Sequence, residues 1–558
     1  MTMRKILFFS LVAALTLLRT VAQDAAFTNG VFFVNEDRYG PNQGSINFFD
    51  YDDNEMYYNV YALVNPTTKL GVTTQHGQLY GGRLFVVSKQ ANGSEASGST
   101  IGSRLAVLDA ATLKQQGSIL RFGDPDSVYD GRSYCAVNRD KGYVATSAGI
   151  FVIDVNTLTA TGPIEGTQSS ARGDYNSLYY YQCGDMVRLG QYVFAVQQGV
   201  GLHVIDPVAD EVLTTLPFPH IVTVFVTAAG NLYVANNSRE IYDFGSGPYV
   251  ADFTRIDPVT HEVLDVYELG DTYGALSSWG AWRARMLCVD PVDERVYYYH
   301  EEFQNHISRY DFSTRQFTDH FIDLPEAAEI NWDGSHNIQG LYAAALSFDP
   351  HTGDLVVQTT EAAPMYAYQI FDHNWVLFYD VATHQLKKQV RLQDAYWFPA
   401  MALYPDVCLP SVSVDNMTIN KGQETVVNLL DAVTDADNLT ALAVTTASSV
   451  DESVARAWVQ GLELHVMARA QGMTTVRVST DSNGNMATTT FVVTVRGTKP
   501  GDVNMDGNVG MDDLSELINI LLGSVLNNYD TGAADVNQDG LVGMDDLSEL
   551  INMLLRNS

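Results

Sequence analysis

Seven times between residues 46 and 380 the chain repeats one phrase: a short apolar strand, an aspartate, a few turn residues and another strand. Ile150-Phe151-Val152-Ile153-Asp154 is one copy; the others close on Asp50, Asp109, Asp206, Asp257, Asp311 and Asp380, with steps of 45 to 69 residues. A hairpin precedes most copies, as at 137–144 and 348–356, so each unit holds about four strands separated by Gly, Asn and Asp turns. Four strands in a repeat of this length are the pattern of a β-propeller blade. Seven copies imply a seven-bladed β-propeller over residues 27–405. A β-sandwich has no place for so long a repeat recurring seven times. The segment 31–37 reads as a second strand lacking a first, and 400–404 offers the missing strand from the far end, which closes the ring and removes two sheet edges. The recurring aspartate reads as a turn cap, its carboxylate accepting backbone N–H groups of the turn that follows.

The densest chemistry lies at the other end. From Gly501 onward there are eleven acidic side chains and one basic residue, Arg556. Asp502, Asn504 and Asp506 stand at positions one, three and five of a calcium loop, Gly507 at six and Asp513 at twelve. Asp535, Asn537, Asp539, Gly540 and Asp546 repeat that spacing thirty-three residues on. Calcium takes six to eight oxygens, so the backbone carbonyls of Asn508 and Leu541 supply position seven, and water supplies position nine, where Gly510 and Gly543 lack side chains. Two matched loops predict two Ca2+ sites. Each loop opens a helix: Leu514, Leu517, Ile518, Leu521 and Leu522 recur at helical spacing, as do Leu547, Leu550, Ile551, Leu554 and Leu555. This block, residues 498–558, resembles the type I dockerin module. The resemblance implies calcium-dependent folding and docking onto a cohesin-like protein. Residues 510–522 and 543–555 differ only at Ile520 and Met553, so either helix suits the partner. Met511-Asp512 and Met544-Asp545 occupy the positions that the resemblance assigns to partner selection, and they differ from the Ser-Thr-like pair of cellulose-degrading complexes.

Between these blocks, residues 409–497 alternate apolar and polar residues over short strands such as Thr475-Val476-Arg477-Val478, the pattern of an immunoglobulin-like sandwich acting as a spacer. Asp435-Ala436-Asp437 reads there as a solvated turn, the alternative being carboxylates that touch a calcium ion. At the start, Arg4 and Lys5 precede an apolar run over 6–18 and the small residues Thr20-Val21-Ala22, so residues 1–22 read as a secretory signal peptide. The run is short for a membrane span, and no cysteine follows it to take a lipid. The expectation is a secreted or cell-surface-associated protein without direct membrane insertion. A formal charge of −34 argues against nucleic acid or an anionic membrane as partner. Cys135, Cys183, Cys288 and Cys408 fit neither a disulfide scaffold nor a zinc site, and they read as buried small hydrophobes.

In a propeller, the loops entering each innermost strand converge on the central channel, and here those loops are aromatic. Tyr129, Arg132 and Tyr134 precede one strand, Tyr179, Tyr180 and Tyr181 the next, and Trp279, Trp282 and Arg283 another. Trp332, His336 and Asn337 follow, then Tyr396 and Trp397. Such a set suits a flat ring, a sugar or a corrin face. The alternative is that these side chains plug the funnel or pack between blades. The stretch 31–40, continued through Gly44, Ser45 and Ile46, resembles the YncE-like bacterial propellers, a family that includes cobalamin-capturing surface proteins. That likeness implies a ligand-binding propeller taking a small molecule or glycan. Glu301, Glu302, Glu326, Glu329 and Asp333 are candidate carboxylates for glycoside cleavage, and His76, His220 and His336 candidate bases or ligands, without any HExxH or GxSxG motif. Three readings follow: a non-catalytic ligand-binding propeller, a polysaccharide-degrading propeller enzyme, or an adhesive component recognising protein, each tethered by the C-terminal module.

Overall fold

A computed structural model describes residues 27–37, 43–91, 102–123, 129–169, 181–238, 250–270, 272, 274–275, 285–330, 336–362, 369–497, 499–524 and 531–557. The expected signal peptide lies outside them. The chain divides into two compact units: residues 1–410 with 435–444 and 481–486, and residues 411–434, 445–480 and 487–558.

The first unit is built from antiparallel four-strand meanders: five are separate sheets among the described residues, and the last two are joined into one nine-stranded sheet by the parallel pairing of Ala344 with Met401, with Glu326–Ile330 added beside His336–Phe348. Their first strands are Val72–Tyr80, Gly131–Ala136, Cys183–Leu189, Ile221–Val226, Leu287–Val289, His336–Phe348 and Pro399–Leu403. The last of these is completed from the front of the chain. Pro399–Leu403 pairs with Gly30–Asn35, setting Met401 opposite Val34 and Leu403 opposite Phe32, and Gly30–Asn35 pairs onward with Ser45–Asp50.

Burial explains why the strands differ in composition. Val31, Phe32, Phe33 and Val34 are all buried, because this second strand is covered on both faces by neighbouring sheets. The outer strand Glu211–Pro217 alternates exposed and half-buried residues, because only one of its faces meets a neighbour. Apolar layers join successive sheets: Phe85, Tyr134 and Phe151 in one gap, Tyr233, Phe253, Tyr298 and Phe312 in another. Phe33, Phe49, Val376 and Phe378 join the sheet beginning at His336 to the composite one, and Phe32, Phe48 and Leu84 join the composite sheet to the one beginning at Val72. The succession of sheets thus returns to its start, a propeller-like β architecture.

The recurring aspartates cap turns. Asp109 accepts the Thr112 N–H at 2.9 Å, Asp206 that of Val208 at 2.8 Å and Asp380 that of Thr383 at 2.8 Å. Asp154 accepts from Asn156 and Thr157 at 2.9 and 2.8 Å, and the Thr157 bond holds its carboxyl below the usual range. Cys135, Cys183 and Cys288 are buried thiols and Cys408 is half-buried; all four are free. The turn at Asp435–Asp437 is not solvated as expected. The Asp437 side chain is 2% exposed and accepts the backbone N–H groups of Val407 and Cys408, with His351 Nδ1 3.4 Å away.

Two further sheets, one of Met417–Asn420, Asn485–Arg496, Gly472–Ser482 and Val444–Ser449 and one of Glu424–Asn428, Glu463–Ala468 and Ala455–Gln460, belong to the second unit apart from residues 444, 481–482 and 485–486. Met417–Asn420 runs parallel to Asn485–Arg496. Val476, Val478, Phe491, Val493 and Val495 are buried while the residues between them are more exposed, a period-two pattern that puts one face of the sheet in a core. The helices Met511–Leu521, Thr531–Ala534 and Met544–Asn557 complete the unit.

Candidate functional site

The two acidic loops fold alike because the same residues make the same bonds. Asp513 is fully buried and accepts the Asn504 N–H at 2.9 Å and the Gly510 N–H at 2.7 Å. Asp546, equally buried, accepts from Asn537 at 3.0 Å and Gly543 at 2.7 Å. Asp502 receives the Gly507 N–H and Asp535 the Gly540 N–H, and both glycines take a left-handed φ, 94° and 92°, which a side chain would oppose. Asp506 and Asp539 accept the N–H groups of Asn508 and Leu541 at 2.8 and 3.0 Å. Burial, then the nearby Asp513 charge, raises the Asp502 carboxyl above its usual range. An all-oxygen donor set holding like charges together in a tight turn fits calcium, and these residues are the ones that would hold it.

The helices after the loops split their apolar stripe in two. Leu517 and Leu550 are fully buried and pack with Leu514, Leu521, Leu547 and Leu554, whereas Met511, Ile518 and Leu522 are 69%, 38% and 74% exposed. Met544, Ile551 and Leu555 match them at 67%, 39% and 70%. Ile518, Leu522, Ile551 and Leu555, grouped with the core stripe by spacing alone, therefore point outward. Asp512 and Asp545 turn back toward their loops, accepting from the Asn504 and Asn537 side chains at 2.9 and 2.8 Å.

In the first unit, polar groups from distant sheets meet where the innermost strands begin. Glu36, beyond the strand Gly30–Asn35, accepts from Gln75 Nε2 at 2.8 Å and Tyr342 Oη at 3.2 Å, so the strands Val72–Tyr80 and His336–Phe348 both hold its carboxylate. Asp185 accepts from Thr223 Oγ1 at 2.7 Å and from the Arg285 backbone N–H. Burial raises the Asp185 carboxyl despite the Arg285 charge beside it. Burial, then the same Arg285, holds the His76 imidazole down to about 3, hence neutral. His76 and Arg285 come from sheets that are not neighbours, and His76 Nδ1 accepts the Tyr134 backbone N–H at 3.3 Å. The Arg285 residue is exposed.

The aromatic candidates fare differently. Tyr180, Trp279, Trp282, Arg283 and Trp332 lie outside the described residues. Arg132 is fully buried, its Nε donating to Gln182 Oε1 at 2.6 Å and its Nη1 3.3 Å from Asp130, so its charge is matched inside the protein. Trp397 is also a packing residue, 9% exposed, 5.2 Å from Tyr58 between rings, with its indole N–H donating to the Gln393 carbonyl at 2.9 Å. Tyr129 packs near Phe151, 6.0 Å between rings, and Tyr396 is half-buried. His336 is exposed, 3.9 Å from Glu326, itself 72% exposed at the side chain. Arg285 escaped sequence reasoning, although it stands two positions after Arg283 in a loop already singled out.

A propeller-like β domain joined to a C-terminal dockerin is the class that these features define. The chain belongs to the family described as a domain of unknown function, DUF5074, which matches residues 29–405. The dockerin type I domain description matches residues 500–555. No curated protein matches. Among solved structures, the chain is similar to a quinoprotein alcohol dehydrogenase-like protein of Bacteroides thetaiotaomicron at 14% identity and a TM-score of 0.47, over 68% of this chain and 79% of that one. It is also similar to the Swd1 β-propeller domain of Myceliophteria thermophila, at 11% identity and a TM-score of 0.38, over 59% and 93% of the two chains. Type I dockerin domains bind calcium and cohesin partners, and the proteins that carry them are typically extracellular or at the cell surface. No helix among the described residues is long and apolar enough to cross a membrane.

Proposed function

We propose that this protein is an exported, non-catalytic ligand-binding propeller of seven blades, carried on an immunoglobulin-like spacer and tethered to a cohesin-like receptor through two calcium-loaded loops. The observation that carries the tether is the pair of matched apolar faces, Met511, Ile518 and Leu522 against Met544, Ile551 and Leu555, each beside its own loop. A buried equivalent would be core; a duplicated exposed one suits a partner met in either of two orientations. Supporting seven blades are seven first strands with one sheet completed from both ends. Parallel pairing of Met417–Asn420 with the last strand supports the immunoglobulin-like reading. The Arg285 backbone N–H held by Asp185, with Arg285 itself exposed just before the strand Leu287–Val289, supports a ligand at that loop, a small molecule or glycan with an acceptor group for the Arg285 cation.

Calorimetric titration of the full chain against corrinoids and a panel of oligosaccharides tests the ligand. Binding that falls at least tenfold in Arg285→Ala places it at the Arg285 loop. Silence across the panel moves the propeller to protein recognition, and turnover of an oligosaccharide makes it an enzyme. For the tether, capture by a cohesin in calcium should survive Ile518→Asp or Ile551→Asp alone and disappear in the double variant. Capture by the double variant would sink the two-face reading.

A further inference from the structure

The sheet of Leu287–Val289, Arg295–Tyr298, His306–Asp311 and Gln316–Asp323 departs from the others at its outer pair of strands. In the sheets beginning at Val72, Cys183, Ile221 and His336, the register slip between third and fourth strands lies next to the capping aspartate, at Val107/Leu108, Val204/Ile205, Arg255/Ile256 and Phe378/Tyr379. Here it lies nearer the opposite end, between Ile307 and Arg309, so that Asp319, His320 and Phe321 stand opposite Ser308 alone. His320 takes a left-handed φ of 47° within it. A bulge re-aims the side chains it carries.

The displaced bulge brings Asp319 to two imidazoles. His306 opens the third strand, and His300 lies in the loop just past the second. Asp319 Oδ1 is 3.3 Å from His306 Nε2 and 3.9 Å from His300 Nε2, and one donor atom of each residue lies within 4.8 Å of the other two. Ligands about 2.0–2.2 Å from a tetrahedral ion are themselves about 3.3–3.6 Å apart, so these separations are close to coordination edges. His306 is 9% exposed, and among the described residues its Nε2 has the Asp319 carboxylate as partner while its Nδ1 has no hydrogen bond. Ser308 Oγ donates to Asp319 Oδ1 at 2.8 Å. Gln304 accepts the His300 N–H at 3.2 Å and donates to the His306 carbonyl at 2.8 Å, fixing the loop that carries both rings. His320 stacks on His306 with ring centres 3.6 Å apart. The Asp319 side chain, 47% exposed, opens the cluster to solvent.

We propose that His300, His306 and Asp319 form a binding site for a divalent transition-metal ion of the zinc class, with its fourth position open to solvent. Two imidazoles and a carboxylate suit zinc, copper or nickel, whereas calcium calls for oxygen donors alone. Ser308 and Gln304 are the positioning residues behind the ligands. In an antiparallel meander, the end of the second strand and the start of the third lie on the same edge as the start of the first. The ion would therefore sit on the face where the loops enter the innermost strands, its open position available to water or to a donor atom of a bound molecule. This site does not depend on the proposed ligand or tether.

The test uses the full chain in millimolar calcium, which keeps the oxygen loops supplied, titrated with zinc chloride by calorimetry and assayed for bound metal after gel filtration. One zinc per chain is expected. Asp319→Asn and His306→Gln should each weaken that binding by at least about tenfold, with an unchanged circular dichroism spectrum. Failure to take up stoichiometric zinc overturns the proposal, as does uptake unaltered in Asp319→Asn. Asp319 is half exposed, so its variant decides the matter even if His306→Gln does not fold.

Discussion

Replacing Asp513 by Asn isolates what one buried carboxylate does for the C-terminal module. Both Asp513 oxygens are committed, to the N–H groups of Asn504 at 2.9 Å and Gly510 at 2.7 Å, and the residue has no solvent exposure. Asparagine keeps one acceptor and turns a donor toward the other N–H. A hydrogen bond to a charged group is worth about 1.5–3 kcal/mol, and an unmatched buried donor costs about 1–3 kcal/mol, so the change should cost roughly 3 kcal/mol or more. At about 0.05–0.15 kcal/mol per residue, a module of this size has roughly 3–9 kcal/mol in all. Helix opening should thus become at least about a hundredfold easier, taking tenfold per 1.4 kcal/mol. Hydrogen–deuterium exchange of the full chain in calcium, followed over the helices Met511–Leu521 and Met544–Asn557, reads this directly. Asp546 makes the same pair of bonds, at 3.0 and 2.7 Å, so Asp546→Asn must act alike. Unchanged exchange in either variant, or effects on the two helices differing by more than tenfold, would refute the account. Chelation should act in the same direction, because it leaves the Asp502 and Asp513 charges facing each other without a cation.

Trp397→Ala should lower propeller stability by about 3–5 kcal/mol in urea denaturation, because the indole fills a core between sheets; a loss of ligand binding without loss of stability would return Trp397 to the funnel. Asp37 carries a pH signature. Burial, with the Glu36 charge adding to it, pushes its carboxyl from 3.8 up to about 8. The folded chain keeps a proton that the unfolded chain releases, so the contribution to stability is full below pH about 4 and is lost as the pH rises to about 8. Melting curves of Asp37→Asn between pH 5 and 8.5 should fall less steeply than those of the wild type and cross above them at the alkaline end; parallel curves would contradict the assignment.

What the sequence makes legible is what short-range chemistry determines. The turn caps could be read because an aspartate and the N–H groups it holds lie within three residues, as with Asp154 and Thr157. The acidic loops could be read for the same reason, since their oxygens fall within one twelve-residue spacing. Side-chain destination was harder. Leu517 and Leu522 share one helical stripe in sequence, but one is core and the other surface, because a stripe wide enough for both gives no sign of where the neighbouring helix ends. Arg132 and Trp397 looked like funnel residues from their loops, yet a fully buried guanidinium beside Asp130 and an indole packed on Tyr58 serve the framework. Asp185, Thr223 and the Arg285 backbone meet only because separate sheets bring them together, and His300, His306 and Asp319 only because a bulge turns one strand. No local pattern encodes either meeting.

The pairing of Gly30–Asn35 with Pro399–Leu403 also fixes a timetable. At roughly 5–20 residues per second, the first strand emerges from the ribosome on the order of 20 to 70 s before its partner exists. For that interval Val31, Phe32, Phe33 and Val34 form an apolar edge with one flank unclaimed, the kind of segment that pairs with other chains. The repeats in between can gather as they are made, but the circle cannot shut until the Pro399–Leu403 stretch arrives. A chain halted ahead of it should therefore associate with its own copies, and the final strand serves as the latch that ends this exposure.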